Sequence, residues 1–308
     1  MKALVVRAGA LGDIVLLRRA IHALRSAGYA VDLLAPSPGR VLVGPGEVDR
    51  LLPWDAPETA LFLAGDETDG PVARALRAAD VVIAFTRADS VAAALRTRAG
   101  RLVLHDPAPP PGGPHASDWL AHALASLGVA DAGPPPNLAF TDVETAAAAA
   151  IANPLPPGFL AVHPGSGSVP KNWPADRHAT LARRLSSDRP WLLVLGPAEP
   201  AFVVAPDAVV ARDLPLRVLG ALLARAGLFV GNDSGVAHLA AAAGAPTLAL
   251  FGPTDPGLWS PVGRVVRCLR AGVTGPPAFT VDEVASAATL LTGDATRTPA
   301  RSAPPSRR

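Results

Sequence analysis

Residues 231–235, Gly-Asn-Asp-Ser-Gly, stand between an apolar run and an alanine-rich stretch. At a helix start such residues present unpaired backbone N–H groups and the positive end of the helix dipole. That is chemistry for holding a phosphate. A second stretch offers the same. His163-Pro164-Gly165-Ser166-Gly167-Ser168 follows an apolar run and leads to Lys171. The spacing departs from the Walker pattern, in which Gly-Lys-Ser/Thr opens the helix. It still supplies amides, hydroxyls and one cation. Of 28 Lys+Arg, only Lys2 and Lys171 are lysines. An ammonium is a compact point charge, unlike the planar guanidinium. Its placement here points to a specific role for Lys171 toward an anion.

These residues need a scaffold of strands and helices. Apolar runs predict strands at 2–7, 30–35, 80–85, 101–105, 159–163, 191–195, 208–211, 228–231 and 247–251. Helical patterning falls between them at 13–27, 71–78, 89–99, 115–127, 142–152, 175–187, 215–225, 235–243 and 281–291. Short apolar runs separated by helices argue for parallel βαβ units. Proline-rich 107–114 and 133–136 read as loops, and Asn153–Gly158 as a domain boundary, because a fresh strand-loop-helix unit follows it. The expectation is an α/β chain of two doubly wound domains, 1–153 and 154–293, facing across a cleft. In such sheets ligands sit beyond the carboxyl ends of the strands. Gly9-Ala10-Leu11-Gly12-Asp13 stands where G-x-G-x-x-G would mark a dinucleotide site, which counts against that cofactor.

The bulk numbers narrow the classes. A chain of 308 residues, 49% hydrophobic, has material for two cores. No apolar run is long enough to span a bilayer. The first residues enter a strand without a signal-peptide layout, and one cysteine excludes an internal disulfide framework. A cytoplasmic protein is expected. Net charge is only +2, and residues 294–308 contribute four arginines, so that segment is expected to be a disordered tail. The arginine-rich surface suits an anionic acceptor or membrane head groups.

The ordered set of segments resembles glycosyltransferase family 9, the ADP-heptose:lipopolysaccharide heptosyltransferases. It comprises Leu4–Arg7 with Ala10–Leu16, His163–Ser168 with Lys171–Pro174, Leu195–Glu199, Gly231–Gly235 with His238–Ala241, and Ala249–Asp255, in family order. The resemblance implies the GT-B architecture, two Rossmann-like domains with the acceptor on the first and the nucleotide-sugar on the second. It implies inverting transfer of a heptose from ADP-heptose to a lipopolysaccharide-core or related surface-glycan acceptor. No metal or other cofactor is expected, nor any nucleic-acid partner, and the enzyme would meet its acceptor at the inner face of the cytoplasmic membrane.

On this reading Asp13 is the base, the alternative being an N-cap for the helix it opens. Lys171 is the counter-charge for the leaving diphosphate, with Ser166, Gly167 and Ser168 giving hydroxyls and amides. Ser234 and Gly235 donate backbone N–H groups. Asp233 belongs to the donor site but is better suited to N-capping, since a carboxylate repels phosphate. His238, four residues after Ser234 and on the same helix face, contacts diphosphate or sugar, or is structural. Glu199 takes ribose hydroxyls or serves a helix start. Arg7, Gly12 and Arg87 face the acceptor, while Arg18 and Arg19 read equally as solvated surface. The match fades between residue 35 and the second half, so the acceptor is the least determined part. A same-scaffold transferase for another nucleotide-sugar, a binding protein and a hydrolysing epimerase remain as alternatives.

Overall fold

The computed structural model describes residues 1–65, 69–168, 171–187, 189–197, 199, 206–272 and 276–295. Two wholly parallel sheets organise the chain. The first holds β1 (Lys2–Arg7), β2 (Ala30–Ala35), β3 (Arg50–Pro53), β4 (Val81–Phe85) and β5 (Leu102–His105) in the order β3-β2-β1-β4-β5. The second holds β6 (Leu160–His163), β7 (Trp191–Leu195), β8 (Ala208–Arg212), β9 (Leu228–Asn232), β10 (Thr247–Phe251) and β11 (Val266–Arg270) in the order β11-β10-β9-β6-β7-β8. Each chain path runs outward from its first strand, then returns past it. The reversals fall between β1 and β4, and between β6 and β9, where open α/β sheets bind ligands.

The central strands are buried from end to end, as for Val81–Phe85. Strands covered on both faces read as unbroken apolar runs, which is why the sequence expectation found them. It omitted β3 and β11. Both are short edge strands, and β3 ends in Pro53, a residue tolerated at an edge because no ladder hydrogen bond is lost there.

Twelve helices are described: α1 (Leu11–Val15), α2 (Arg18–Ser26), α3 (Pro57–Leu63), α4 (Pro71–Ala78), α5 (Asp89–Arg96), α6 (Ala116–His122), α7 (Asp142–Ala152), α8 (Ala175–Ser186), α9 (Leu216–Leu223), α10 (Gly235–Ala243), α11 (Pro256–Trp259) and α12 (Val281–Ala295). The helix expected over 13–27 divides into α1 and α2, where Leu17 N–H bonds the Ile14 carbonyl at 3.1 Å in a tighter turn. That expected over 115–127 continues past α6 as a 3-10 turn, Ala123–Leu127. The sequence reading did not foresee α3 or α11.

A shared core lies between the sheets, built from Val5, Ile14, Leu17, Leu33, Leu222, Phe229, Leu239 and Phe251 among others. The outer face of the first sheet packs on α4 and α5 through Leu76, Val91 and Leu95. That of the second packs on α8 and α12 through Trp173, Leu181 and Val284.

Helix α7 packs against α9 of the second half, ahead of the division expected at 153/154. Leu138 N–H bonds the Ala242 carbonyl at 2.9 Å on the way in. Arg217 of α9 donates to Glu144 at 2.6 Å and to the Val41 carbonyl of the first half at 3.0 Å. Arg18, for which solvated surface was an equal reading, is buried, and its guanidinium pairs with Glu47 and the Pro136 carbonyl. Helix α12 carries the chain to Ala295, two residues into the segment expected as a disordered tail. The rest of that segment, 296–308, lies outside the described residues.

Candidate active site

Helix α1 starts directly beyond β1 and α10 directly beyond β9, so the carboxyl edges of the two sheets bring two helix starts together. They meet at glycines. A Cβ on Gly235 would lie 2.6 Å from the Leu11 Cβ, and one on Gly12 would lie 3.1 Å from the His238 ring. A larger residue at Gly235 would force a shift, and one at Gly12 would press on the His238 ring. A cleft of about 360 Å³ opens beside this contact. Asp13, Gly12 and Leu16 line it from the first half. Ser166, Gly167, Ser168, Lys171, Asp233, Ser234, Gly235 and His238 line it from the second.

Asp13 is the third residue of α1 rather than its N-cap, which is Ala10. Its Oδ2 accepts the Ala10 N–H at 3.0 Å, and its Oδ1 accepts Arg7 Nη2 at 2.9 Å. The Asp13 side chain is 32% exposed and Arg7 only 4%. Arg7 therefore stands behind the carboxylate, and its Nε has no partner in the buried space there. Burial lowers the Arg7 pKa, with Asp13 opposing that shift. Neither Arg7 nor Arg87 lines the cleft. Arg87 instead grips Asp106 through Nε at 2.9 Å and Nη2 at 2.8 Å, at an exposed loop.

In the second half Ser234, not Asp233, caps α10. Its backbone is extended (φ −150°, ψ 159°), and its Oγ accepts the Ala237 N–H at 3.3 Å. The amides of Gly235 and Val236, in the first turn, have no intrahelical acceptor and remain available to an anion. Asp233 receives Lys171 Nζ at 2.7 Å, with the carboxylate 7% and the lysine 33% exposed. The ammonium is thus held in the cleft by a buried counter-charge.

The Gly/Ser loop is braced from within. Ser166 Oγ lies 2.8 Å from the Ser168 carbonyl and 2.6 Å from Asn172 Oδ1, so its hydroxyl is engaged inside the loop. Gly167 takes φ +65°, the left-handed region open to glycine. From below, the fully buried Asn232 accepts Trp173 N–H at 2.9 Å and donates to the Pro164 carbonyl at 2.6 Å. One amide side chain at the end of β9 thereby ties both ends of the loop that carries Lys171.

Glu199, beyond β7, accepts the Gly196 N–H at 2.8 Å and lies over Gly165, where any side chain would collide with it. It flanks the Gly/Ser loop without lining the cleft. His238 does line it. Burial pushes its pKa down to about 4, and its Nδ1 has no partner. The ring is therefore neutral at physiological pH.

The sequence reading assigned no role to four other lining residues, Ala10, Leu16, Thr254 and Trp259. Thr254 follows β10, so the rule that ligands sit beyond strand ends was signal enough to find it. Trp259 sits on α11, a helix too short to carry a readable period.

The family model for glycosyltransferase family 9 (heptosyltransferase) matches residues 74–285. Lipopolysaccharide heptosyltransferase 1 of Pseudomonas aeruginosa is 39% identical over 123 residues, covering 37% of this chain and 34% of that protein. The chain thus aligns with about a third of that relative's length. The fold matches the glycosyl transferase family 9 structure from Veillonella parvula, with TM-score 0.77, 19% identity and coverage of 95% and 97%. It also matches E. coli heptosyltransferase WaaC, solved with ADP, with TM-score 0.70, 20% identity and coverage of 94% and 100%. The architecture is GT-B, as the resemblance implied. With more than half its residues under the family model and this fold along nearly its whole length, the chain belongs to glycosyltransferase family 9.

Proposed function

We propose that the protein transfers a heptose from ADP-heptose to a lipopolysaccharide-core or related surface-glycan hydroxyl, with inversion at the anomeric carbon. The observation that carries this reading is the meeting of Asp13 from one sheet with Lys171, Gly235 and His238 from the other in one cleft. Asp13 accepts the proton of the attacking hydroxyl. That oxygen bonds to the anomeric carbon while the bond from this carbon to the β-phosphate oxygen breaks, releasing ADP. Lys171 and the α10 amides offset the charge that develops on the diphosphate. The two halves hold donor and acceptor in reach of each other with water excluded. Glu199 takes the ribose. The relatives support the donor, since the E. coli WaaC structures are with ADP and with an ADP-2-deoxy-2-fluoro heptose. They support the acceptor class through the names of three lipopolysaccharide heptosyltransferases.

The domain division belongs to this reading too. An acceptor domain precedes a donor domain, and α7 travels with the latter. Among the described residues no helix is long and apolar enough to cross a membrane. On this reading a glycolipid acceptor is met at the membrane surface, from the cytoplasmic side.

Calorimetric titration with ADP, UDP, GDP and ADP-heptose, without added metal, tests the donor. Selective micromolar binding of ADP and its heptose is expected. A preference for UDP or GDP would keep the transferase reading and overturn the heptose. Failure to bind any of the four would remove the reading altogether.

A further inference from the structure

The second sheet can be read as a ruler laid under the donor. Its carboxyl edge presents, in spatial order, Glu199 beyond β7, the Gly/Ser loop and Lys171 beyond β6, Asp233–Gly235 beyond β9, and Thr254 and Trp259 beyond β10. Neighbouring strands lie about 4.8 Å apart, so β7 to β10 spans roughly 14 Å. A nucleoside diphosphate-sugar lying along this edge, with its ribose at Glu199 and its diphosphate over β6 and β9, brings its sugar to the end of β10.

The residues waiting there are suited to a sugar. Trp259 is half-buried, rests on the shared core and lines the cleft. Trp119, Trp173 and Trp191 each donate the indole N–H to a protein oxygen at 2.9 Å. Among the described residues the indole N–H groups of Trp54 and Trp259 have no such acceptor, and of these two only Trp259 lines the cleft, where the Thr254 hydroxyl has no partner either. An indole offers a flat apolar face and one donor, which matches the C–H face and hydroxyls of a pyranose. The platform beneath is fixed. Asp255 caps α11 by accepting the Gly257 N–H at 3.0 Å, and its carboxylate takes Arg270 Nη1 at 3.1 Å. At the other end the Ser260 carbonyl lies 3.0 Å from His115 Nε2 of the first half. An aromatic side chain held this way needs little ordering on binding.

We infer that Trp259, with Thr254, forms the subsite for the transferred sugar of the donor, stacking the indole on the pyranose ring. The inference rests on the proposed nucleotide-sugar reading and assigns the sugar end of that ligand. It is tested by titrating ADP and ADP-heptose into the wild-type protein and into Trp259→Ala and Trp259→Phe variants. Trp259→Ala should weaken ADP-heptose by about tenfold and leave ADP within twofold, while Trp259→Phe, which keeps a ring, should fall between. Unchanged ADP binding also reports that the variant is folded. If the wild type binds both ligands and neither variant alters their affinity ratio, the subsite is overturned and the function stands. Equal weakening of ADP and ADP-heptose would place Trp259 at the nucleotide instead. If the wild type binds neither ligand, the functional reading fails and the subsite falls with it.

Discussion

Asp13 and Lys171 are each held by a buried partner of opposite charge, and the two pairs face one cleft. The Arg7 guanidinium fixes the direction of the Asp13 carboxylate without itself reaching solvent. Replacing Asp13 by Asn should lower kcat by roughly 10² to 10⁴, the range for losing a general base. The ADP affinity should stay within twofold, because no nucleotide contact is removed. A parallel loss of ADP binding in the titration would show that Asp13 serves the donor instead. Lys171→Ala removes the cation and strands Asp233, a buried carboxylate with no other side-chain partner among the described residues. Such a change costs stability as well as turnover. The double variant Lys171→Ala/Asp233→Asn should recover thermal stability while turnover stays low. Recovery of turnover would mean that the lysine only neutralises its neighbour.

At the scale of elements, the loop between β6 and α8 depends on one side chain of β9. Asn232→Ala leaves the Trp173 N–H and the Pro164 carbonyl without partners in a dry site. An unfolding titration should find about 2 kcal/mol or more lost. ADP should bind more weakly, since Lys171 then hangs from a slack loop, and undiminished ADP affinity would separate the brace from the site. The sequence disclosed much of this arrangement. Helices α4, α7 and α10 follow the expected bounds because each has a sharp punctuation mark. α10, for instance, starts after Ser234 and stops at Gly244, whose φ is +99°. The amides and the lysine were legible because they sit at strand ends, where small polar residues interrupt apolar runs. The burial of Arg18 and Arg7 was not, since a charged residue on a short helix or strand end reads as facing solvent or, for Arg7, the acceptor, until its partner, Glu47 or Asp13, is placed against it. Trp259 was hidden for a similar reason. Its place in the cleft follows from where β10 lies in the sheet, and strand order is not written in local sequence.

Over the whole molecule the buried histidines contribute to the loss of stability in acid. Burial lowers the pKa of His178 to about 3 and that of His238 to about 4. An unfolded histidine takes up its proton near pH 6.5. The folded state therefore keeps this contribution above pH 6.5 and loses it as the pH falls toward 4 and then 3. Each residue should cost about 2 kcal/mol at pH 5. His178→Leu should flatten the change in unfolding free energy between pH 7 and pH 5 by that amount, and an unaltered slope would assign the acid sensitivity elsewhere. The scarcity of lysine has a consequence of a different kind. Besides the α-amino group the chain carries two primary amines, Lys2 beside Asp32 and Lys171 beside Asp233. Reductive methylation can thus mark at most three positions, and an intact mass spectrum resolves their occupancy directly. Saturating ADP should delay one of the three marks and leave the others untouched. The protein would then report occupancy of its own cleft as a change in mass, with no engineered label.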